Sequence, residues 1–526
     1  MTKKTTHFAS TFLLLLALTI SSCDQKYDVV ILNGTVYDGQ GGEPIVTDIA
    51  IKDSMIVAMG ELDNAKALRI IDAEGLAVSP GFIDMHAHLE PIMELNSCES
   101  HVRQGVTTAL GGPDGSSPYP MKPFMDSLQH KGIGMNAAFL VGHNTVRRNI
   151  MRLENRAPTP EELKAMEAEI DSAMKDGAYG ISTGLKYLPG AFSEVDEVIE
   201  LSKVASKRGG IYTSHLREEG LGLFDAVAEA IQISEKANIP VVLTHHKAIG
   251  KPMWGKSART LAMVDSARAK GLDIKMDQYP YAASYTSISV LIPSWARAGG
   301  QEEFKKRVED PVLRDSIKNG IVFNILNDRG GSDLNRIQFA KVNWAPELEG
   351  KTLKYWCEEN NLEPSVENGA DMVIKAQLNG GASCVYHAMA EEDVERIMKH
   401  PMTMIGSDGR LAEPGMGHPH PRWYGTFPRV LGRYVREKNT LSLAEAIRKM
   451  TYLPAQSLNL SDRGQIKEGM KADITVFNPE TIIDKATFEK PHQYSEGILF
   501  VFVNGGLAVD NGEFKDIKSG KVLRKK

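Results

Sequence analysis

Histidines and aspartates recur in this 526-residue chain directly after short, β-rich apolar runs. Imidazole and carboxylate groups suit Zn²⁺ and similar ions, and a catalytic ion keeps one position open for water. A lone His-x-His is a weak signal, but several such residues after successive runs are hard to explain as core packing. The sequence therefore predicts a site for one or two divalent metal ions, most simply zinc. Its candidate ligands are His86, His88, Asp114, His215, His245 and Asp408.

The chemistry expected of such a site is hydrolysis. A metal lowers the pKa of a bound water towards about 7, which makes hydroxide available at neutral pH. A carboxylate beside that water can take its proton and pass it to a leaving nitrogen. Asp408, after the last apolar run, is the candidate for this acid/base role, although an isolated aspartate can also cap a turn.

Eight β-rich runs alternate with segments of helical character through the middle of the chain. Thr159-Pro160-Glu161-Glu162, for example, is typical of a helix start. This alternation predicts an α/β fold, a (β/α)₈ TIM-type barrel whose site lies at the carboxyl ends of its strands. The predicted strands are Gly81–Met85, Val106–Leu110, Met135–Val141, Ala178–Thr183, Ile211–Ser214, Pro240–Thr244, Leu272–Asp277 and Thr403–Gly406.

Two features complicate a simple barrel. The stretch between the seventh and eighth runs is too long for one helical connection, which predicts an inserted subdomain at about 281–400. Both ends of the chain are β-rich and carry turn sequences such as Asn504-Gly505-Gly506. We therefore expect a small β-sandwich domain built from 24–78 and 461–526 around a barrel at 79–460.

The N-terminus has the layout of a signal peptide. Lys3 and Lys4 precede the apolar run Phe12–Ile20, which is far shorter than a membrane-spanning helix. Ile20-Ser21-Ser22-Cys23 resembles a bacterial lipobox, so residues 1–23 predict an exported lipoprotein, anchored to an envelope membrane through lipidated Cys23. The alternative is an ordinary secretory signal with a chance cysteine. The net charge is −6 and no basic block interrupts the body of the chain, which argues against a nucleic-acid partner.

Several longer motifs contain or adjoin the candidate ligands. They are Pro80-Gly81-Phe82-Ile83-Asp84-Met85-His86-Ala87-His88, Ser214-His215-Leu216-Arg217-Glu218-Glu219, Thr244-His245-His246-Lys247, Tyr279-Pro280-Tyr281 and Gly406-Ser407-Asp408-Gly409. In this order they resemble the amidohydrolase superfamily, and within it the D-aminoacylase (N-acyl-D-amino-acid deacylase) family. The resemblance covers nearly all of the chain after residue 27.

The resemblance implies a role for each matching residue. His215 and His245 would hold a tightly bound zinc, and His86 and His88 would line the same site and hold a second, weaker metal. Asp408 would be the general acid/base. The residues expected to contact the substrate, mostly through its carboxylate, are Tyr187, Lys247, Ser284 and Arg422. Two cations beside a metal favour an anionic substrate, the alternative being solvated loop charges.

One motif departs from the family pattern. Where D-aminoacylases have Gly-Asn-Cys-Gly with a metal-binding cysteine, this chain has Gly112-Pro113-Asp114-Gly115. Asp114 either replaces the thiolate as a harder, bridging ligand or is only a turn residue. Cys98 is not an obvious substitute, because a small buried thiol in a helix explains it.

These observations predict a metal-dependent hydrolase of the amide bond of N-acyl-D-amino acids. Dipeptides that end in a D residue are a close variant of this substrate. Two alternatives stay open at this point: a cyclic amidase or lactonase on the same scaffold, and a non-catalytic binding lipoprotein.

Overall fold

Both ends of the chain contribute to one β-sheet in the computed structural model, which describes residues 27–62 and 65–526. The sheet joins its two halves where Ala77–Pro80 pairs antiparallel with Ile474–Phe477. A cluster of apolar side chains from both halves, including Ile31, Ile51 and Phe502, is buried against it. Within the described residues its nine strands are Tyr27–Val36, Ile45–Lys52, Met55–Gly60, Ala67–Asp72, Ala77–Pro80, Ile474–Phe477, Ile498–Val503, Gly506–Asp510 and Glu513–Phe514.

Parallel strands occupy the middle of the chain, and each of the eight predicted runs overlaps at least one of them. The run Met135–Val141 overlaps two, so nine strands are observed for the eight runs within the described residues. Three form one sheet, in the order Phe82–Asp84, Val106–Gly111 and Asn136–Phe139. Six form a second sheet, in the order Val141–Gly142, Gly180–Gly184, Ile211–His215, Val241–Leu243, Ile274–Gln278 and Thr403–Ile405. Neighbours in each sheet follow chain order, so the carboxyl ends of the strands face the same way.

The last strand returns to the first. Ala87–His88 pairs in parallel with Gly409–Arg410, and the backbone N–H of Asp408 donates to the carbonyl of His86 at 2.7 Å. The segments that follow the first parallel strand, Phe82–Asp84, and the last one, Thr403–Ile405, are therefore held side by side. This pairing brings two groups of predicted ligands together from opposite ends of the domain.

Helices cover these strands, because parallel strands buried on both faces need an apolar layer on each side. The helix Leu223–Ala237, for instance, buries Val227, Ala230 and Ile233 at helical spacing. The α-helices of the described residues are Glu99–Val102, Met121–Lys131, His143–Met151, Pro160–Asp176, Val195–Lys207, Leu223–Ala237, Ser257–Ala269, Gln301–Glu309, Pro311–Asp328, Leu353–Glu359, Val366–Leu378, Glu391–Lys399, Arg422–Arg429, Leu443–Met450 and Tyr452–Ser457. A π-helix, Val430–Glu437, continues the helix Arg422–Arg429.

The long segment between the last two parallel strands has a sheet and a core of its own. Its three antiparallel strands are Ser284–Ser287, Ser383–Tyr386 and Ile337–Lys341, in that order. A separate apolar cluster that includes Phe304, Phe339 and Trp356 packs beneath four of its helices. This insertion supplies a wall of the site described below.

The predicted leader at 1–23, with its lipidation residue Cys23, lies outside the described residues. Within the described residues, no helix combines the length and the apolar character needed to cross a bilayer.

The predicted helix start at Thr159 is confirmed as a capping box. The Thr159 hydroxyl accepts the backbone N–H of Glu162 at 3.2 Å, and the Glu162 carboxylate accepts the backbone N–H of Thr159 at 2.8 Å. Gly177 ends the helix with a φ of 111°, a conformation that favours glycine.

Replacing Thr159 with alanine is expected to lower the free energy of unfolding by about 1 kcal/mol, because an orphan N–H at the helix start loses its acceptor. Urea unfolding of the variant measures this change. Lys164→Ala is the matched control, because Lys164 lies on the exposed face of the same helix. Equal stability of Thr159→Ala and the wild type would contradict the assigned cap.

Candidate metal centre and substrate pocket

The predicted ligands sit where the parallel strands end. His215 is the last residue of Ile211–His215, and His245 follows Val241–Leu243 by two residues. Asp114, His245 and Asp408 have positive φ values of 53°, 37° and 47°, which are uncommon outside glycine. At these three residues the backbone turns sharply just after a strand, and the turn keeps each side chain in the site. Strained backbone of this kind is typical of functional sites.

Two groups of candidate ligands share Asp114. His86, His88, Asp114 and Asp408 form one group, and Asp114, His215 and His245 form the other. Within each group the ligand atoms lie within 4.8 Å of one another. All six residues predicted from the sequence are thus brought together, and Asp114 belongs to both sets.

The Asp114 carboxylate lies between four imidazoles. Its Oδ1 is 3.5 Å from Nε2 of both His86 and His245, and its Oδ2 is 3.7 Å from Nε2 of His88 and from Nδ1 of His215. A carboxylate in this position can bridge two metal ions. Asp114 also lies in a turn, as the alternative interpretation of the sequence expects. This turn places its carboxylate beside the four imidazoles.

The donor set fits a divalent metal. Both ring nitrogens of His86, Oδ1 of Asp114 and Nε2 of His215 are buried, and within the described residues they have no hydrogen-bond partner. Such atoms are rare in folded proteins because a buried polar atom without a partner is destabilising by roughly 1–3 kcal/mol. Coordination to a hard or borderline cation would satisfy the two of these atoms that face each other, His86 Nε2 and Asp114 Oδ1. The other two face outer acids: His86 Nδ1 is 3.9 Å from Asp277, and His215 Nε2 is 3.9 Å from Glu219.

The site also keeps its carboxylates ionised. Burial raises the pKa of Asp114, but the surrounding imidazoles, led by His86, outweigh it and hold that pKa well below its usual range. Burial likewise raises the pKa of Asp408, but Arg422 and then His88 outweigh it, so this pKa is also lowered. Both groups are therefore anionic at neutral pH, the form that binds a metal or accepts a proton.

Several acids that support the ligands were not assigned a role from the sequence. Glu90 Oε1 is 3.0 Å from Nδ1 of His88, and Asp277 accepts the backbone N–H of His245 at 2.7 Å. Asp277 is the last residue of a predicted strand, and this strand-end position could have identified it from the sequence as a residue of the site. Outer partners of this kind fix the orientation of metal ligands.

Glu219 is a further buried acid of the site. It lies 3.2 Å from Nδ1 of His245 and forms an ion pair with Lys247. It closes the motif Ser214–Glu219, but only the fold shows that it faces the neighbouring strand end. Lys247, predicted to meet a substrate carboxylate, is therefore already paired with an anion.

The other predicted substrate contacts line a pocket of about 350 Å³ that opens onto the ligands. Arg422 Nη2 is 2.8 Å from Asp408 Oδ1, whereas its buried Nε and Nη1 have no partner within the described residues. The Tyr187 ring centroid is 4.4 Å from that of His215, and the buried Ser284 hydroxyl is likewise unpartnered there. Arg422 can thus hold Asp408 and still offer donors to a ligand.

Residues that the sequence left aside lie outside these two groups. His246 faces Thr260 Oγ1 at 2.8 Å, and His143 faces Glu197 at 2.7 Å. The Cys98 thiol is buried 3.6 Å from the carbonyl of Asn96, and burial raises its pKa to about 11. Cys98 belongs to neither ligand group of the described residues, as the sequence predicts.

Comparison with known proteins places this geometry in context. The model of a family described as "Amidohydrolase family" matches residues 69–310 and 361–509. N-acyl-D-glutamate deacylase of Alcaligenes xylosoxydans xylosoxydans is 36% identical over 95% of this chain and 97% of its own length. D-aminoacylase of the same organism is 34% identical over 95% of this chain and 98% of its own length.

Solved structures agree with these relatives. N-acyl-D-glutamate deacylase from Bordetella bronchiseptica, complexed with zinc and a phosphonate inhibitor, has a TM-score of 0.81 and 33% identity, covering 95% of this chain and 100% of that one. A D-aminoacylase described as having a binuclear metal centre gives the same values. Dihydropyrimidinase from Brevibacillus agri, at 15% identity and a TM-score of 0.58, shares the fold alone.

Replacing Asp114 with alanine is expected to weaken metal binding at least about 10- to 100-fold, the loss typical of an outer partner alone, because a shared ligand disappears. Metal content after gel filtration, measured by plasma mass spectrometry, checks this. Asp516→Ala is the control, since that carboxylate is exposed and pairs with Lys518. Full metal retention in Asp114→Ala would show that Asp114 is only a turn residue.

Proposed function

The chain belongs to the amidohydrolase family, and from this premise we propose the chemistry of its site: metal-dependent hydrolysis of the amide bond of N-acyl-D-amino acids. The relatives that share 33–36% identity over 95% of the chain are N-acyl-D-glutamate deacylase and D-aminoacylase. The observation that carries the proposal is the pair of ligand groups sharing Asp114 beside a pocket with unpartnered Arg422 donors. The products are a carboxylate and a free amino acid.

The metal would be zinc, held by His215, His245 and Asp114, with His86 and His88 beside a second position. When bound, a divalent ion supplies Lewis-acid polarisation of the amide carbonyl and lowers the pKa of water. The residues of the chain do the remaining work, which is to place the substrate and to move one proton.

Arg422 is placed to bind the substrate carboxylate. Its unpartnered Nη1 can donate a charge-assisted hydrogen bond to that carboxylate, and its guanidinium carbon lies 4.6 Å from the ring centroid of Tyr279. Tyr187 and the unpartnered Ser284 hydroxyl offer further donors on the same pocket wall. Lys247 contributes positive potential that Glu219 partly offsets. Dipeptides that end in a D residue present the same amide and carboxylate, so we include them in the proposed range.

Asp408 carries the proton. Its Oδ1 faces both His88 Nε2 at 3.2 Å and Arg422 at 2.8 Å, so the carboxylate is fixed between the ligand group and the carboxylate-binding arginine. From this position it can accept a proton from the attacking water and deliver it to the leaving nitrogen. The same carboxylate thus acts first as base and then as acid.

The architecture we propose for this chemistry is a closed (β/α)₈ barrel with a β-sandwich domain. The chain-order pairing of the parallel strands, and the pairing of Gly409–Arg410 with Ala87–His88, support closure. The buried cluster shared by both halves of the nine-stranded sheet supports two packed layers. In such barrels the site lies at the carboxyl ends of the strands, where the ligands are found here.

We also propose that the mature protein begins at a lipidated Cys23 and is anchored to a bacterial envelope membrane. Replacing Cys23 with alanine is expected to move the enzyme from the detergent-soluble membrane fraction to a soluble or unprocessed form. Activity per mole of folded protein is expected to stay unchanged, because the site lies far along the chain. Unchanged membrane association of Cys23→Ala would contradict the anchor.

Replacing Asp408 with asparagine is expected to lower kcat by about 10²- to 10⁴-fold, the usual contribution of a proton-transfer group. The assay follows amino acid release from an N-acetyl-D-amino acid, with circular dichroism and metal content measured in parallel. Asp333→Asn, in the insertion and away from the pocket lining, is the control. An Asp408→Asn enzyme with the wild-type rate would contradict the proposed mechanism.

A further inference from the structure

Arg329 lines the pocket from the inserted subdomain, whereas Lys247 and Arg422 come from segments that follow parallel strands. It directly follows the helix Pro311–Asp328 of the insertion, and 4% of it is exposed. Its guanidinium carbon lies 5.2 Å from the ring centroid of Tyr386. Within the described residues it forms no hydrogen bond and no ion pair.

The other cations that line this pocket are occupied. Asp408 pairs with Arg422, and Glu219 pairs with Lys247. Arg148 donates to a backbone carbonyl at 2.9 Å, and Arg410 faces Glu90 at 3.7 Å. Among the described residues lining the pocket, Arg329 is thus the cation for which the protein supplies no such partner.

The neighbouring acid does not neutralise Arg329 by contact. The carboxylate of Asp328 lies 3.9 Å from Nζ of Lys186 instead. Burial raises the pKa of Asp328 and the charge of Arg329 opposes this rise, but the two groups form no ion pair and no hydrogen bond. A buried guanidinium that no carboxylate contacts is unfavourable, so its place in the pocket lining points to an anion that arrives with the ligand. A carboxylate is the natural partner, because it accepts two parallel hydrogen bonds from a guanidinium.

The cations that line the pocket lie against different aromatic rings. Arg422 and Lys247 lie 4.6 Å and 5.7 Å from the ring centroid of Tyr279. Arg329 lies instead against Tyr386, whose hydroxyl donates to the carbonyl of Ser287 at 3.2 Å. Arg422 and Arg329 can each pair with a carboxylate, so a small molecule with two carboxylates would pair with both.

We propose that Arg329 is a specificity-determining residue that binds a second carboxylate, carried by the side chain of the substrate amino acid. The preferred substrates are then N-acyl-D-amino acids with an acidic side chain. The proposal rests on the proposed deacylase function. The first carboxylate binds at Arg422, and the side-chain carboxylate extends to Arg329.

The test compares kcat/KM for N-acetyl-D-glutamate with that for N-acetyl-D-glutamine, which has the same shape without the second charge. The wild-type enzyme is expected to prefer the glutamate substrate at least about tenfold. Arg329→Met is expected to lose about 10- to 100-fold on that substrate and to change less than about threefold on the glutamine one. Arg329→Lys should recover part of the preference.

Arg336→Met is the matched control, because Arg336 is also an arginine of the insertion but donates to the carbonyl of His387 and lies outside the pocket lining. It should preserve the substrate preference. N-succinyl-D-leucine places the second carboxylate on the acyl group instead and should be a poor substrate.

Each other outcome overturns the proposal. Equal kcat/KM values of the wild-type enzyme on the glutamate and glutamine substrates would overturn the role of Arg329, although they would establish deacylation itself. Equal losses on both substrates in Arg329→Met would assign Arg329 to the first carboxylate, and a preference for N-succinyl-D-leucine would assign it to the acyl side. Failure to hydrolyse any N-acyl-D-amino acid would overturn the deacylase function and, with it, this inference.

Discussion

The burial of ligand atoms that the protein itself leaves unsatisfied is the constraint on which this structure depends. Six imidazole and carboxylate side chains converge at the strand ends, and several of their atoms have no hydrogen-bond partner within the described residues. A cation would satisfy the atoms of this set that face one another, His86 Nε2 and Asp114 Oδ1. Much of the surrounding structure serves to hold it in place: Glu90 fixes the His88 ring, Asp277 fixes the turn at His245, and Arg422 holds Asp408.

Asp114 stands at the position where the resemblance to D-aminoacylases implies a metal-binding cysteine. A carboxylate has two oxygens, and here each faces two imidazoles, so one residue contacts both ligand groups. Aspartate is also a harder ligand than a thiolate, which shifts the preference of the site towards harder ions. The turn that contains Asp114 tolerates the residue because aspartate adopts positive φ more readily than most side chains do.

The parallel strands, the capped helix at Thr159 and the convergence of the six candidate ligands could be predicted because their signals are local. Strand ends, helix starts and ligand chemistry are all written in short stretches of sequence. Glu219 and Arg329 could not be assigned, because their roles depend on what lies opposite them in space. The same limit explains Lys247: the sequence shows a cation near a metal ligand, but only the fold shows that Glu219 already neutralises it.

The central claim is metal-dependent hydrolysis of N-acyl-D-amino acids at this site. The most direct test measures amino acid release from the two enantiomers of one N-acetyl amino acid by zinc-loaded enzyme, before and after removal of the metal. We predict rapid release from the D enantiomer, little from the L enantiomer, and loss of the D activity on chelation that zinc restores. Equal hydrolysis of both enantiomers, or full activity in the metal-free enzyme, would contradict the claim.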